Sequence, residues 1–136
     1  MTKWVSIGRV TDDFATFKRD LLAKYPMCQV YYMVKGRVFR CHVPSEDLDH
    51  CLIRKNKRFQ KWVNAQPWNW QPSCGNCNRT AHYTDNRDNR KWWLEHQVQQ
   101  YGWDRIVADM QTAPDKMKAH NPDWGEVWDW LQDRTP

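Results

Sequence analysis

Two groups of residues in this chain have the types and spacings to do chemistry, and they meet in the stretch WNWQPSCGNCNRTAH, residues 68–82. The first group is thiol. Cys74 and Cys77 form a CxxC knuckle whose thiolates can grip one tetrahedral ion. A closed structural site needs two more ligands, and Cys28 and Cys41 are the best available pair. Their C-x12-C spacing is wider than a knuckle. A hairpin can still bring its ends together, because paired strands lie about 5 Å apart. His42 is an alternative ligand, and Cys51 is the spare of five cysteines. Taken alone, the four thiols favour one zinc that holds a hairpin to a later loop and does no chemistry.

The second group is a proton acceptor with oxygen ligands. Asp49 and His50 are adjacent, Asn69 follows, Asn78 lies nine residues further on, and His82 four beyond that. A helix beginning near Asn78 would carry residues 78 and 82 on one face. An imidazole that is neutral near pH 7 can take a proton from water. A divalent ion held by Asp49 and Asn78 can bind a phosphate and offset charge on a leaving oxygen. Two oxygen ligands suit Mg²⁺ or Mn²⁺, and a nitrogen from His82 widens tolerance to Ni²⁺, Co²⁺ or Zn²⁺.

The ordered pattern DH…N…PxCxxCN…H, over residues 28–102, resembles the HNH endonuclease family. The resemblance implies a ββα-metal core, with strands carrying the acid/His pair and the central Asn, followed by a helix carrying the last motif residue. It implies His50 as general base, Asp49 as ligand of the catalytic ion, and Asn69 as the residue that orients His50 by a hydrogen bond. Asn78 stands where the last His of the motif would, as in the HNN variant, and would be a second ligand. His82 matches a further ligand of some members. Many members hold the core between cysteine pairs on a structural zinc, and the trailing RKWWLEHQVQQYG is similar to small phage and prophage members. The implied activity is metal-dependent hydrolysis of DNA phosphodiesters, as nicks or double-strand breaks. The interval from His50 to Asn69 is longer than in compact members and implies an inserted loop.

That loop contains RKNKRFQK, five Lys/Arg in eight residues. Arg54, Lys55, Lys57, Arg58 and Lys61, with Arg79 beyond the knuckle, are the candidate phosphate contacts. Arg87, Arg90 and Lys91 could continue the surface. The net charge is +5 and unevenly placed. Residues 1–103 carry nine acids and seventeen Lys/Arg, whereas residues 104–136 carry seven acids and four Lys/Arg. The positive excess thus sits with the motif residues, which suits a polyanion such as DNA, although a solvated surface explains charge equally well.

The elements that must position these groups read as one α+β domain, 1–136, with the motif core at 28–102 and a helical extension at 103–136. Phe14, Phe17, Leu21 and Leu22 predict a helix stopping before Pro26. Residues 28–43 predict a β-hairpin around Lys35-Gly36, and 45–53 a strand or extended piece. Pro72 and Gly75 break regular structure, and TDNRDN, 84–89, has turn chemistry. Helices are predicted at 90–102, 103–111 and 123–134, with 115–122 as a polar interval.

Ten Trp compensate for a mean hydropathy of −0.97. Trp68 and Trp70 could pack the core or stack bases, with core favoured. Trp124, Val127, Trp128 and Leu131 predict an amphipathic last helix with Asp123 available as cap, and Trp124, Trp128 and Trp130 could dock a protein partner if exposed. No segment approaches the roughly 18 apolar residues that cross a bilayer, so the expected location is the cytoplasm, with no membrane partner. The alternative to a nuclease is a zinc-stabilised nucleic-acid-binding module without turnover.

Overall fold

The computed structural model describes residues 13–54, 56–77 and 86–134. Helix α1 (Phe14–Lys24) opens on Asp13, whose carboxylate accepts the Thr16 N–H, and buries Phe17 and Leu21 on one face. It ends at Tyr25, before Pro26. The hairpin follows as β1 (Tyr31–Val34) and β2 (Arg37–Arg40), joined by Lys35 (φ 49°) and Gly36 (φ 75°). Two consecutive positive φ values give the turn whose twist matches paired strands. Beyond the strands the legs stay paired. The Cys28 N–H donates to Val43 O at 2.8 Å, and the Cys41 N–H to Val30 O at 3.1 Å.

A second antiparallel pair joins β3 (Asp47–His50) to β4 (Trp70–Ser73), in a register that sets His50 opposite Trp70 and Asp49 opposite Gln71. Between them run a 3₁₀ turn (Lys57–Phe59), helix α2 (Gln60–Ala65) and another 3₁₀ turn (Pro67–Asn69). These elements fill the interval between His50 and Asn69, and more than half of it is helical. A strand at Trp70–Ser73 was not predicted by the periodicity, because Pro72 reads as a breaker. Pro72 stands opposite Leu48 and contributes its carbonyl, which accepts the Gln29 N–H at 2.9 Å.

Four helices complete the chain. Helix α3 (Arg87–Tyr101) starts three residues earlier than predicted, capped by Asn86, whose side chain accepts the Asp88 N–H. Gly102 (φ 97°) ends it and opens α4 (Trp103–Gln111). Helix α5 (Asp115–His120) occupies part of the stretch read as a polar interval. Helix α6 (Pro122–Asp133) is capped by Asn121, with Pro122 in the first turn.

The main core joins Cys51, Leu52, Ile53, Val63 and Trp68 to Trp93 and Leu94 of α3 and to Ile106, Met110, Met117, Trp124, Val127, Trp130 and Leu131. The segment that follows His50 is therefore packed directly on the C-terminal helices. A smaller cluster sets Phe17 and Leu21 of α1 on Leu48 and Trp70, and a third gathers Val30 with Cys28, Cys74 and Cys77. Trp68 is in the core, as favoured, and Trp70 is buried. Trp124 and Trp130 are buried as well and Trp128 half-buried. This removes the exposed tryptophan face on which docking of a protein partner at the last helix depended.

Candidate metal centre and the strand pair beside it

The thiols of Cys28, Cys41, Cys74 and Cys77 lie within 4.8 Å of one another, the only group of three or more metal-ligating side chains among the described residues. The paired hairpin legs bring in Cys28 and Cys41, and the end of β4 leads straight into Cys74. A tetrahedral zinc with bonds near 2.3 Å requires sulfurs about 3.8 Å apart. The Cys41 and Cys74 sulfurs are 3.8 Å apart. The Cys77 N–H points at Cys74 Sγ, 3.5 Å away, as a tight CxxC turn requires. Cys51 lies outside the cluster, in the main core. His42 is exposed and not among the four.

The four thiols do not ionise with equal ease. Burial pushes the Cys28 thiol up to about 11, despite hydrogen bonds from the Val30 and Cys74 backbone. Burial, followed by the charge of Cys28, pushes Cys77 far higher. At Cys74 burial also opposes ionisation, but the Cys77 N–H and neighbouring thiols outweigh it and lower its pKa. Four thiolates so close together would require a divalent ion to offset them. The donor set is soft and closed, which suits a structural zinc.

At the other end of β4 stands His50. Strand alternation puts it on the face of Leu48 and of its cross-strand partner Trp70, with ring centroids 4.0 Å apart, and sends Asp49 to the opposite face. The imidazole Nε2 meets Asn64 Oδ1 at 2.6 Å, while the Trp70 indole donates to Asn64 O at 3.1 Å. Asn64, near the end of α2, is thus held at both side chain and main chain. With Asn64 Oδ1 as the acceptor, Nε2 is the donor in this contact.

Asn69 does something other than the expected contact with His50. It is fully buried, and its Oδ1 accepts the N–H groups of Leu52 at 2.9 Å and Ile53 at 2.7 Å. Its Nδ2 donates to Ile53 O at 2.8 Å. Asn69 pins the main chain two and three residues after His50, and Asn64 makes the described contact with the ring. The same segment is gripped from behind by Arg90, only 3 % exposed, which donates to Cys51 O at 3.1 Å and Leu52 O at 2.7 Å. Arg90 also pairs with Glu126 and approaches Asp123 at 3.8 Å. It is an interior brace, not part of a phosphate-binding surface.

Arg54 is likewise occupied. Its guanidinium forks onto the Asp123 carboxylate at 3.0 and 2.7 Å, and its N–H adds a third bond at 2.9 Å. Burial alone would raise the Asp123 pKa, but the bonds from Arg54 and the charge of Arg90 hold it below the ordinary carboxylate range. Arg54, expected as a phosphate contact, thus shares its charge with the start of α6 while its side chain stays half-exposed. Lys57, Arg58 and Lys61 are exposed and have no ion pair among the described residues. Lys55, Asn78, Arg79 and His82 lie outside the described residues.

A buried amide pair connects the two strand systems. Gln71 and Asn89 exchange hydrogen bonds at 2.8 and 2.9 Å, and Asn89 Oδ1 accepts the Tyr31 N–H at 2.9 Å. Gln71 also donates to Gln29 O at 3.0 Å. These contacts fix β4 against α3 and the hairpin, so the thiol end and the His50 end keep one orientation. Asn64, Gln71 and Asn89 carry no sequence signal that singles them out, since each resembles any polar residue of a solvated surface. No family model matches this chain, and no curated protein or solved structure matches it.

Proposed function

We propose that this protein is a metal-dependent DNA endonuclease built on an HNH-like ββα-metal arrangement, with His50 as general base. The observation that carries the reading is His50 itself. It ends a strand paired with the strand that follows Asn69, half-buried, with Nε2 held by Asn64. In this reading Nδ1, the nitrogen opposite the Asn64 contact, is the atom that would take a proton from water. Asn69 and Arg90 keep the segment after His50 rigid, which preserves the ring's position at the strand end.

In this reading Asp49, Asn78 and His82 hold the exchangeable ion, on the strength of the sequence resemblance. Bound there, Mg²⁺ or Mn²⁺ would stabilise the charge of the leaving oxygen. The cysteine cluster keeps its separate, structural task. Lys57, Arg58 and Lys61 supply a cationic surface for phosphates on either side of the scissile bond.

The test is conversion of supercoiled plasmid by the zinc-loaded protein with added Mg²⁺, Mn²⁺, Ni²⁺ or Co²⁺, run beside His50→Ala. Open-circle or linear product from the native protein alone, with both proteins equally folded and zinc-loaded, supports the proposal. Equal cutting by both proteins removes His50 as base. A gel shift with no cutting under any ion would favour a zinc-stabilised binding module.

A further inference from the structure

A second feature borders helix α2. There Arg58, Phe59, Lys61, Trp62, Ala65 and Pro114 line an open groove of about 400 Å3. The groove combines two chemistries. Its floor is apolar and aromatic, and its rim carries the Arg58 and Lys61 cations, with Lys57 beside them. None of these three cations has an ion-pair partner among the described residues.

The aromatic floor is already ordered. The Trp62 indole N–H donates to Thr112 Oγ1 at 3.1 Å, and the ring packs edge-on against Trp68, with centroids 6.2 Å apart. The Arg58 guanidinium lies 5.5 Å from the Phe59 ring centre. A ligand stacking there would not have to immobilise these rings. The charge excludes a cationic ligand, and the apolar floor is wasted on phosphate alone. A flat aromatic group attached to a phosphate satisfies both parts, and a nucleobase in a single strand is such a group. A base inside a duplex is not, because its faces are already stacked.

Position links this groove to the proposed chemistry. Lys61, Trp62 and Ala65 belong to the same six-residue helix as Asn64. Asn64 contacts His50, and three residues of helix advance only about 5 Å along the axis. We infer that the groove bordering α2 binds an unpaired nucleobase one or a few nucleotides from the phosphate served by His50. The substrate class is then nucleic acid with a single-stranded segment, such as an end, flap or branch. This deepens the nuclease reading and rests on it for the identity of the polymer.

The experiment uses zinc-loaded His50→Ala protein without added divalent ions, so that nothing is cut. The probe is a single-stranded oligothymidylate carrying one 5-iodouracil, photocrosslinked and mapped by mass spectrometry. Its affinity is compared with that of a duplex of equal length by fluorescence anisotropy. The expected crosslink falls on Phe59 or Trp62. Trp62→Leu should weaken single-strand binding about fivefold or more and change duplex binding less than twofold. If Trp62→Leu fails to fold, Phe59→Leu carries the same expectation.

Crosslinks confined to other residues, or equal loss of both affinities, would overturn the inference. Absence of binding to either nucleic acid would also overturn it and point to an apolar peptide as the ligand. A groove crosslink in a protein that never cuts plasmid leaves this inference standing while the nuclease proposal falls. Plasmid cutting without a groove crosslink does the reverse.

Discussion

Asn69→Ala offers the sharpest test of how the segment after His50 is built. The side chain is fully buried and closes three hydrogen bonds of 2.7 to 2.9 Å with Leu52 and Ile53. Truncation leaves two N–H donors and one carbonyl without these partners in the protein interior. Each orphaned group costs about 1–3 kcal/mol, and relaxation of the chain pulls the sum toward its lower end, giving a loss of about 3–5 kcal/mol. That is a large fraction of the stability of an ordinary domain. With a urea m-value of about 2 kcal/mol/M, the unfolding midpoint should fall by about 2 M. Asn64→Ala is the companion variant. It removes a half-buried contact with His50 and should cost less than about 1.5 kcal/mol, yet it should relax the His50 tautomer, read from imidazole 15N shifts. A midpoint within about 0.3 M of the parent for Asn69→Ala, at unchanged m, would show that packing holds residues 51–53. The brace role assigned to Asn69 would then be refuted.

The remaining expectations concern the thiols, the ion network and one histidine. Purified protein should carry one zinc by elemental analysis, retain it in Cys51→Ser and lose it in Cys77→Ser, since only Cys77 belongs to the cluster. A structural zinc site contributes on the order of 10 kcal/mol, so a strong chelator should unfold the chain or lower its Tm by tens of degrees. Arg90→Met should cost about 3 kcal/mol or more in urea titration, because it leaves Glu126 and two carbonyls without their partner. Arg54→Met, at a half-exposed position, should cost less. His96 accepts from or donates to the Tyr25 hydroxyl at 2.9 Å and stacks on Trp92 and Trp93. Burial first, then the Arg40 and Lys24 charges, lower its pKa from the ordinary 6.5. The unfolded chain therefore takes up this proton at a higher pH than the folded one. Stability should be full above about 6.5 and fall as the pH drops from there toward the folded value. His96→Gln should flatten that slope, measured as the urea midpoint between pH 7.5 and 5.5.

The parts of the fold legible in the sequence are those where local chemistry allows few alternatives. A thiol cluster needs thiols, so five cysteines leave little choice, and the β-rich residues around Lys35-Gly36 predict the hairpin that joins Cys28 to Cys41. Helix α1 is written in the spacing of Phe17 and Leu21 and in Pro26. Illegible parts have two physical causes. Some elements are too short or too mixed to show a period. Helix α5 has six residues and buries only Met117, and β4 contains a proline that serves through its carbonyl. The Asn and Asp residues of TDNRDN favour turns and helix caps for the same reason, which is why the start of α3 at Asn86 reads as a turn.

The second cause is distance along the chain. Arg54 is read as a phosphate contact because nothing near it in the chain reveals a partner 69 residues away. Arg90 likewise resembles a phosphate contact until Leu52 O and Glu126 are seen around it. This has a consequence for function. Subtracting Arg54 and Arg90 from the cationic residues leaves Lys57, Arg58 and Lys61 as the described cations between His50 and Asn69 that have no ion pair. They gather on the side of α2 that bears the aromatic groove, whereas Asn64 on the same helix holds His50. The segment between His50 and Asn69 therefore does more than join two strands. Its one short helix carries the contact that fixes the imidazole and the surface best suited to a polyanion, so a rigid displacement of α2 should disturb both at once.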